Sequence, residues 1–283
     1  MRYDLHIHTA ASDGSDPPSR LAEKVREAGL ELFSVTDHDT IDGALAMEAL
    51  IPEGVGYIRG VEFSCVSPGG KCHILGYGFD PEHPAFLDAI REGADLRRDK
   101  LERRIIHLQE KFGITLTEEE RSWLRSLQSP GKPHLGRLLL ERGLAPDMNT
   151  AIRRYLSGVP GRDRIDSGTA IGAIGAAGGI AVWAHPLGGE GERRLTEAEF
   201  EARLALLLPE GIQGLECHYS RYSSAESELL LGHARARGLV ITGGSDYHGI
   251  NKSGIELGQL GTEAKESGID TAPFSGIILQ KEG

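Results

Sequence analysis

Two hydrophobic periods alternate along the 283-residue chain. Short runs rich in apolar and β-branched residues, at 3–7, 32–35, 56–61, 73–77, 180–183, 214–216 and 239–242, read as buried strands. Between them, at 18–28, 42–50, 169–177, 197–208 and 224–237, apolar residues recur at the three-to-four-residue spacing of a helix face. Pro18 near the start of the first of these helices and Gly29 just past its end sit where proline and glycine favour starting and stopping a helix. Strand–helix alternation of this kind predicts βα units and a mostly parallel sheet or barrel.

The alternation stops between about 84 and 166. A long charged helical pattern at 84–111 is followed by shorter ones at 117–126, 134–142 and 149–156, and no strand is expected among them. The expected organisation is therefore an α/β barrel domain formed by residues 1–83 and 167–283, carrying an all-helical insertion at 84–166.

Composition changes this picture only at the level of partners. A formal net charge of -11 disfavours a broad duplex-DNA-binding surface, which needs a basic stripe to displace phosphate counterions. It leaves open an enzyme acting on nucleotides or strand ends, because bound cations supply local positive charge. Cys65, Cys72 and Cys217 are odd in number and lack CxxC spacing, which argues against a disulfide scaffold and a structural zinc finger. The start MRYDLHIHT has no signal-peptide core, and no apolar run reaches the ~20 residues of a membrane span, so the expectation is a cytoplasmic protein.

The chemistry lies at the strand ends. His6 and His8 are two apart at the first strand, so both imidazoles project from one face, where they can grip one metal ion, and Asp13 follows in a Ser-Asp-Gly turn. The second strand ends in SVTDHDT with His38, the third in RGVEFS with Glu62, and the fourth begins at CHILGY with His73. AVWAHP places His185, and VITGGSDYHG places Asp246 and His248, directly after apolar strands. In parallel barrels functional groups gather at the C-terminal strand ends. The set is rich in imidazole and carboxylate and contains no thiolate, which suits manganese, iron or zinc. Nine donors exceed what one catalytic ion needs, so two or three divalent ions are expected, with Glu62 and either Asp13 or Asp246 bridging.

In these segments (HIHTAASDG, TDHDT, GVEFS, CHILGY, WAHP and GSDYH, in this order from residue 3 to about 250) the chain resembles the polymerase and histidinol phosphatase (PHP) superfamily. The resemblance implies a distorted (β/α)7 barrel with a trinuclear metal centre. It assigns His6, His8, Glu62 and Asp246 to one ion, Glu62, His73 and His185 to another, and Asp13, His38 and His248 to the third. The blocks KPHLGRLLLERG, GLECHYSRYS and LRRDKLERR further resemble the branch containing nucleoside 3′,5′-bisphosphate phosphatases and ribonuclease AM, in which the insertion supplies a phosphate-recognising group.

Within those blocks His134 and Arg137 share a helix face, and Arg137 suits bidentate contact with phosphate. Arg97, Arg98, Arg103 and Arg104 read as a solvated helix face. His218 and Arg221, just past Glu216, are expected at the active mouth, with His218 donating a proton to the leaving oxygen or contacting substrate and Arg221 contacting substrate. Asp246 is expected to be essential. His83, His107 and His233 lack a strand-end context and read as surface residues. The expected activity is metal-dependent hydrolysis of phosphomonoesters: 3′-phosphate removal from nucleoside 3′,5′-bisphosphates, with 5′-to-3′ cleavage of short RNA as a related activity. The rival readings are a histidinol-phosphate-type phosphatase, a metal-dependent amidohydrolase, and a metal-binding module without turnover.

Overall fold

The computed structural model describes residues 1–189, 192–261, 269 and 271–280. Residues 281–283, the end of the expected barrel segment, lie outside them. The elements run β1 (Tyr3–Ile7), α1 (Pro18–Glu27), β2 (Leu32–Val35), α2 (Asp42–Glu48), β3 (Gly56–Ser67), β4 (Gly70–Tyr77), α3 (Pro84–Phe112), α4 (Glu118–Ser126), α5 (Lys132–Glu141), α6 (Met148–Ala151), β5 (Ile165–Asp166), α7 (Ser167–Ala176), β6 (Ile180–Trp183), α8 (Glu197–Leu207), β7 (Gly214–Tyr219), α9 (Ser224–Arg237) and β8 (Val240–Gly244). Helix α6 runs on into a π-helical turn at Ile152–Leu156.

The sheet has the order β1-β2-β3-β4-β6-β7-β8, with β5 beside β3. Its two ends meet: Asp246 N–H donates to the His6 carbonyl at 2.8 Å, and His8 N–H to the Tyr247 carbonyl at 2.9 Å. Gly244 makes this closure possible, because a Cβ there would collide with the backbone and Cβ of His6. The result is a nearly closed α/β barrel of seven strands.

Two features depart from the expected pattern. The third strand does not end at Val61 but continues to Ser67, and β4 pairs with it antiparallel, Ser67 opposite Gly70. A connection this short joins only antiparallel neighbours, so β4 runs against both β3 and β6. The second departure is β5, a two-residue strand that returns the chain from the helices to the far end of β3. With two residues, β5 is too short to be marked as a strand in sequence.

The helical segment has its own apolar cluster, including Leu101, Ile105, Leu108, Leu135, Leu139 and Leu156, distinct from the clusters packed on the barrel. Helix α3 starts at Pro84 and stops at Gly113, which takes the left-handed conformation (φ 67°) that favours glycine. Helices α4, α8 and α9 begin with reciprocal Thr–Glu or Ser–Glu capping pairs. In α5 the same position is filled by His134, whose Nδ1 accepts from the Gly131 N–H at 3.0 Å. Among the described residues no helix is long and apolar enough to cross a membrane.

Candidate metal centre

Glu62, in the middle of β3, is the hub of the barrel mouth. Its Oε2 lies 3.2 Å from His6 Nε2, 3.1 Å from His8 Nε2 and 3.1 Å from His38 Nδ1. Its Oε1 lies 2.8 Å from His73 Nδ1 and 3.2 Å from His185 Nε2. Asp246 Oδ1 approaches His6 and His8 at 3.6 and 3.4 Å, and Asp13 Oδ1 lies 3.2 Å from His248 Nε2. All nine residues expected to hold metal are thus brought together from six strands and the loops that follow them, and all except the half-buried His73 are buried.

Ligating atoms fall into groups within 4.8 Å of one another: His8, Asp13, His38 and His248; His6, His8 and Asp246; His38, Glu62 and His73. The partition implied by the resemblance differs in detail, since His8 and His38 each stand between two groups. His6 Nε2, both ring nitrogens of His8, Asp13 Oδ1, His38 Nδ1 and Glu62 Oε2 are buried without a hydrogen-bond partner. Leaving so many polar atoms unsatisfied in one place is costly, and bound cations would satisfy all of them. The residues fit a polynuclear metal site.

The surrounding charges prepare the carboxylates for that task. Burial pushes Asp13, Glu62 and Asp246 up, but the imidazoles facing all three, and the Lys252 ammonium beside Asp246, outweigh it and hold them well below the usual carboxylate range. Burial lowers His38, His73 and His248, which keeps those rings neutral and able to ligate.

A second layer holds the first in place. Glu216, fully buried on β7, binds His6 Nδ1 at 2.9 Å and accepts from the His185 N–H at 2.6 Å. This turns His6 Nε2 toward Glu62. His248 Nδ1 pairs with the Asp246 carbonyl at 2.8 Å, which likewise fixes its ring. Asp37 fastens the loop that carries Asp13 by accepting from Thr9 N–H, Thr9 Oγ1 and Ser12 Oγ at 2.8, 2.6 and 2.5 Å. Asp4 fastens Ser245 to β1 through the Ser245 N–H and hydroxyl. Asp39, His185 and Asp246 adopt positive φ (52°, 29° and 58°), a conformation held by these bonds and often found at functional sites.

Sequence reasoning had not singled out Glu216. Its signal is a lone carboxylate in the otherwise apolar strand GLECHY. Lys252, which donates to Asp246 Oδ2 at 2.6 Å, was missed as well.

The helical insertion forms the opposite wall. A cavity of about 310 Å³ is lined on one side by Asp13, His38, His73 and His248, and on the other by Arg97, Lys100, Arg104, Lys132 and Arg164 with one carboxylate, Asp163, among them. The reading of α3 as a uniformly solvated face is corrected here. Arg97, Lys100 and Arg104 are spaced i, i+3, i+7 and turn inward, whereas Arg98 is exposed and pairs with Asp95 at 3.0 Å. Arg97 bonds Asp39 and, at 2.7 Å, Ser64 Oγ, which ties the insertion to the barrel; Lys100 bonds Asp163. Arg104 is 8% exposed and makes no hydrogen bond or ion pair among the described residues, and the same holds for pairing of the half-buried Lys132. Burial and neighbouring cations push Arg104 down to about 10 and Lys132 to about 8.

The remaining expected substrate residues are placed elsewhere. Arg137 is 63% exposed and pairs with Glu141 at 2.8 Å, away from the cavity. His134 is spent on its cap at Gly131 and is also held by the backbone of Ser12, so it links α5 to the Asp13 loop. His218 is buried on β7, and the charges acting on it are Glu228 and Arg235 of α9 together with Glu216. It therefore faces the helix layer, because a bulge between Glu216 and His218 shifts the register of β7. Arg221 donates to the Ser253 carbonyl at 3.3 Å. His83, His107 and His233 are half-buried rather than at the surface and lie outside the donor cluster.

Comparison with known proteins points the same way. The PHP domain profile matches residues 4–130. A 3′,5′-nucleoside bisphosphate phosphatase of Chromobacterium violaceum is 32% identical over 267 residues, covering 90% of each chain. A 5′-3′ exoribonuclease of Haemophilus influenzae is 32% identical over 267 residues, covering 91% of this chain and 93% of its own. A solved structure described as an amidohydrolase from Chromobacterium violaceum with bound sulfate superposes with a TM-score of 0.84 at 26% identity, covering 99% of this chain and 98% of that one.

Proposed function

Since the chain belongs to the PHP-domain family of metal-dependent phosphoesterases, we propose that its substrate is a nucleoside 3′,5′-bisphosphate, from which it removes the 3′-phosphate. The observation that carries this reading is the excess of positive charge in the same cavity as the metal donors, where Arg104 and Lys132 have no hydrogen bond or ion pair among the described residues and the one carboxylate of that wall, Asp163, is bonded to Lys100. A buried cation without a partner is costly, and an anion is what offsets the cost. A substrate with two phosphates satisfies both walls, one phosphate at the donor cluster and the other against Arg104, Lys132 and Arg164.

Divalent cations held by the nine donors supply charge neutralisation at the phosphoryl oxygens and a water made acidic enough to attack at neutral pH. The chain's own residues do the positioning. Arg104 offers a planar guanidinium to the distant phosphate, and Lys132 adds a point charge at the start of α5. Glu216 keeps the His6 ring in one orientation, and Asp37 keeps the Asp13 loop against the barrel. Held at both ends, the substrate presents its P–O3′ bond at the donor cluster.

The test compares a 3′,5′-bisphosphate, a 3′-monophosphate and an amino-alcohol phosphate on protein reconstituted with manganese. The bisphosphate is expected to exceed both in kcat/KM by at least about tenfold, the value of charged hydrogen bonds to the second phosphate. Equal values for all three would sink the reading. Hydrolysis of an amide in their place would restore the amidohydrolase alternative.

A further inference from the structure

A space of about 90 Å³ is lined by Glu62, Asp246 and the imidazoles of His38, His73 and His185, so the phosphoryl group to be cleaved belongs there. Besides these donors, its lining among the described residues holds Gly189, Glu192 and Lys252. Lys252 is the one cation of the three, and it also lines the cavity under the insertion. The other side chains common to the two spaces are His38 and His73, both expected to hold metal. Lys252 therefore stands at the junction where a substrate passes from the donor cluster toward Arg104 and Lys132.

Its position is fixed from both sides. The Ile250 N–H donates to Ser15 Oγ at 3.0 Å, Asn251 Nδ2 donates to the Asp13 carbonyl at 2.9 Å, and Arg221 donates to the Ser253 carbonyl. Arg221, expected from sequence to touch substrate, thus steadies the neighbour of Lys252. An ammonium carries three N–H donors. Lys252 gives one to Asp246 Oδ2 at 2.6 Å and makes no second hydrogen bond among the described residues, while its side chain stays 25% exposed. Two donors remain for a ligand in the spaces it borders.

The proposed reaction has a place for them. The oxygen of water bonds to phosphorus, the P–O3′ bond breaks with its electron pair staying on O3′, and O3′ ends with the proton that the water gives up. The leaving oxygen departs on the side opposite the attacking one. With the rest of the substrate anchored on the insertion wall, O3′ leaves past Lys252. His218, expected from sequence at the leaving oxygen, faces the helix layer, and Arg104 and Lys132 line the cavity under the insertion but not the small space. We propose that Lys252 is a catalytic residue whose ammonium donates a hydrogen bond to O3′ and offsets the negative charge that gathers there as the bond breaks. The ammonium keeps its own protons throughout. The proposal rests on the reading that places the 3′-phosphate at the donor cluster and the 5′-phosphate on the insertion wall.

A purely structural Lys252 would only hold Asp246, as Tyr219 does from 3.0 Å on the same oxygen. The leaving group separates the two roles. On manganese-loaded Lys252→Met protein, kcat for the bisphosphate is expected to fall at least about 100-fold, whereas kcat for 4-nitrophenyl phosphate, whose phenolate leaves without help, stays within about threefold. Lys252→Arg, which keeps a charged donor, should recover part of the bisphosphate rate, and elemental analysis should find the manganese content of both variants unchanged. In calorimetry the unaltered protein should bind adenosine 5′-phosphate at least about tenfold more tightly than its 3′-deoxy analogue, and Lys252→Met should erase that difference. An equal fall for both esters, or an unaltered protein that does not distinguish the 3′-hydroxyl, overturns the proposal. If the unaltered protein prefers an amino-alcohol phosphate to the bisphosphate, the proposed function fails, and the comparison of that alkyl ester with 4-nitrophenyl phosphate still decides the role of Lys252.

Discussion

On the barrel side of the cleft, charges are answered by charges: Glu62 meets five imidazoles, Asp13 meets His248, and Asp246 meets His6, His8 and Lys252. On the insertion side, Arg97 and Lys100 are paired, but Arg104 and Lys132 face the same space with no hydrogen bond or ion pair of their own among the described residues, the nearby Asp163 being bonded to Lys100. The first wall gathers donors that cations would complete. The second holds cations that an anion would complete. The difference separates two jobs, holding the catalytic ions and holding the substrate, and assigns each to a different part of the chain. It also predicts opposite consequences for stability and activity when each wall is cut.

The largest effect is expected at Glu62. Glu62→Gln keeps the shape of the side chain and removes the charge that five rings share. Activity on the bisphosphate should fall by more than the roughly 100-fold that loss of an outer-shell partner costs a metal site. Metal content measured by elemental analysis should fall with it, and a chelator should reproduce the loss in the unaltered protein. Activity that survives both would break the assignment of this wall.

Next comes Glu216→Gln, which touches no donor group of the cluster other than through His6 and the His185 backbone. A drop of about 10–100-fold is expected, recovered in part by raising the metal concentration, because the ring is misoriented rather than lost. Metal-independent loss would mean that Glu216 serves the fold alone.

The opposite wall should respond differently. Arg104→Met is expected to raise KM for the bisphosphate at least about tenfold with kcat little changed. Because it removes a buried cation that has no partner in the free protein, the melting temperature should stay level or rise. A fall in both would show that Arg104 has a structural partner instead.

How much of this was legible before folding differs between the walls for a physical reason. The barrel donors sit at strand ends in short segments, HIH, TDHDT, WAHP and GSDYH, so their common level follows from the alternation of strands and helices. Glu62 was legible although β3 runs past it, because His38 and Glu62 still bridge at that level. The cations of α3 were not legible. Their i, i+3, i+7 spacing is visible, but a long helix of mixed charge does not show which of its faces the rest of the chain will cover. Asp39 in the second strand's motif is what turns Arg97, and with it that face, toward the site. Glu216 and His218 show the same limit on one strand: strict alternation puts both on one face, and only the bulge between them separates the metal-orienting carboxylate from a histidine that packs under α9.

A smaller effect should come from Lys132. Burial and the neighbouring Arg104 and Lys100 push its ammonium down to about 8, so it is charged below that pH and neutral above it. An anionic phosphate binds the charged form, and kcat/KM reports the free enzyme. The value for the bisphosphate should therefore decline as pH rises through about 8, by several-fold, on the order of one charged hydrogen bond. Lys132→Arg, which stays charged, should move that decline to higher pH. An unshifted profile would assign the titration to another group.

The smallest effect is expected at a residue that the sequence reading assigned to phosphate contact. Arg137 was expected to grasp phosphate because it shares a helix face with His134, yet α5 directs that guanidinium to solvent, where it pairs with Glu141 one turn on. An exposed i,i+4 pair of this kind contributes about 0.3–0.5 kcal/mol. Arg137→Ala should therefore leave KM for the bisphosphate within about twofold and stability nearly unchanged. A tenfold rise in KM, without a change in melting temperature, would mean that α5 rotates toward the cleft when substrate binds, and the division of labour between Arg104 and Arg137 would have to be redrawn.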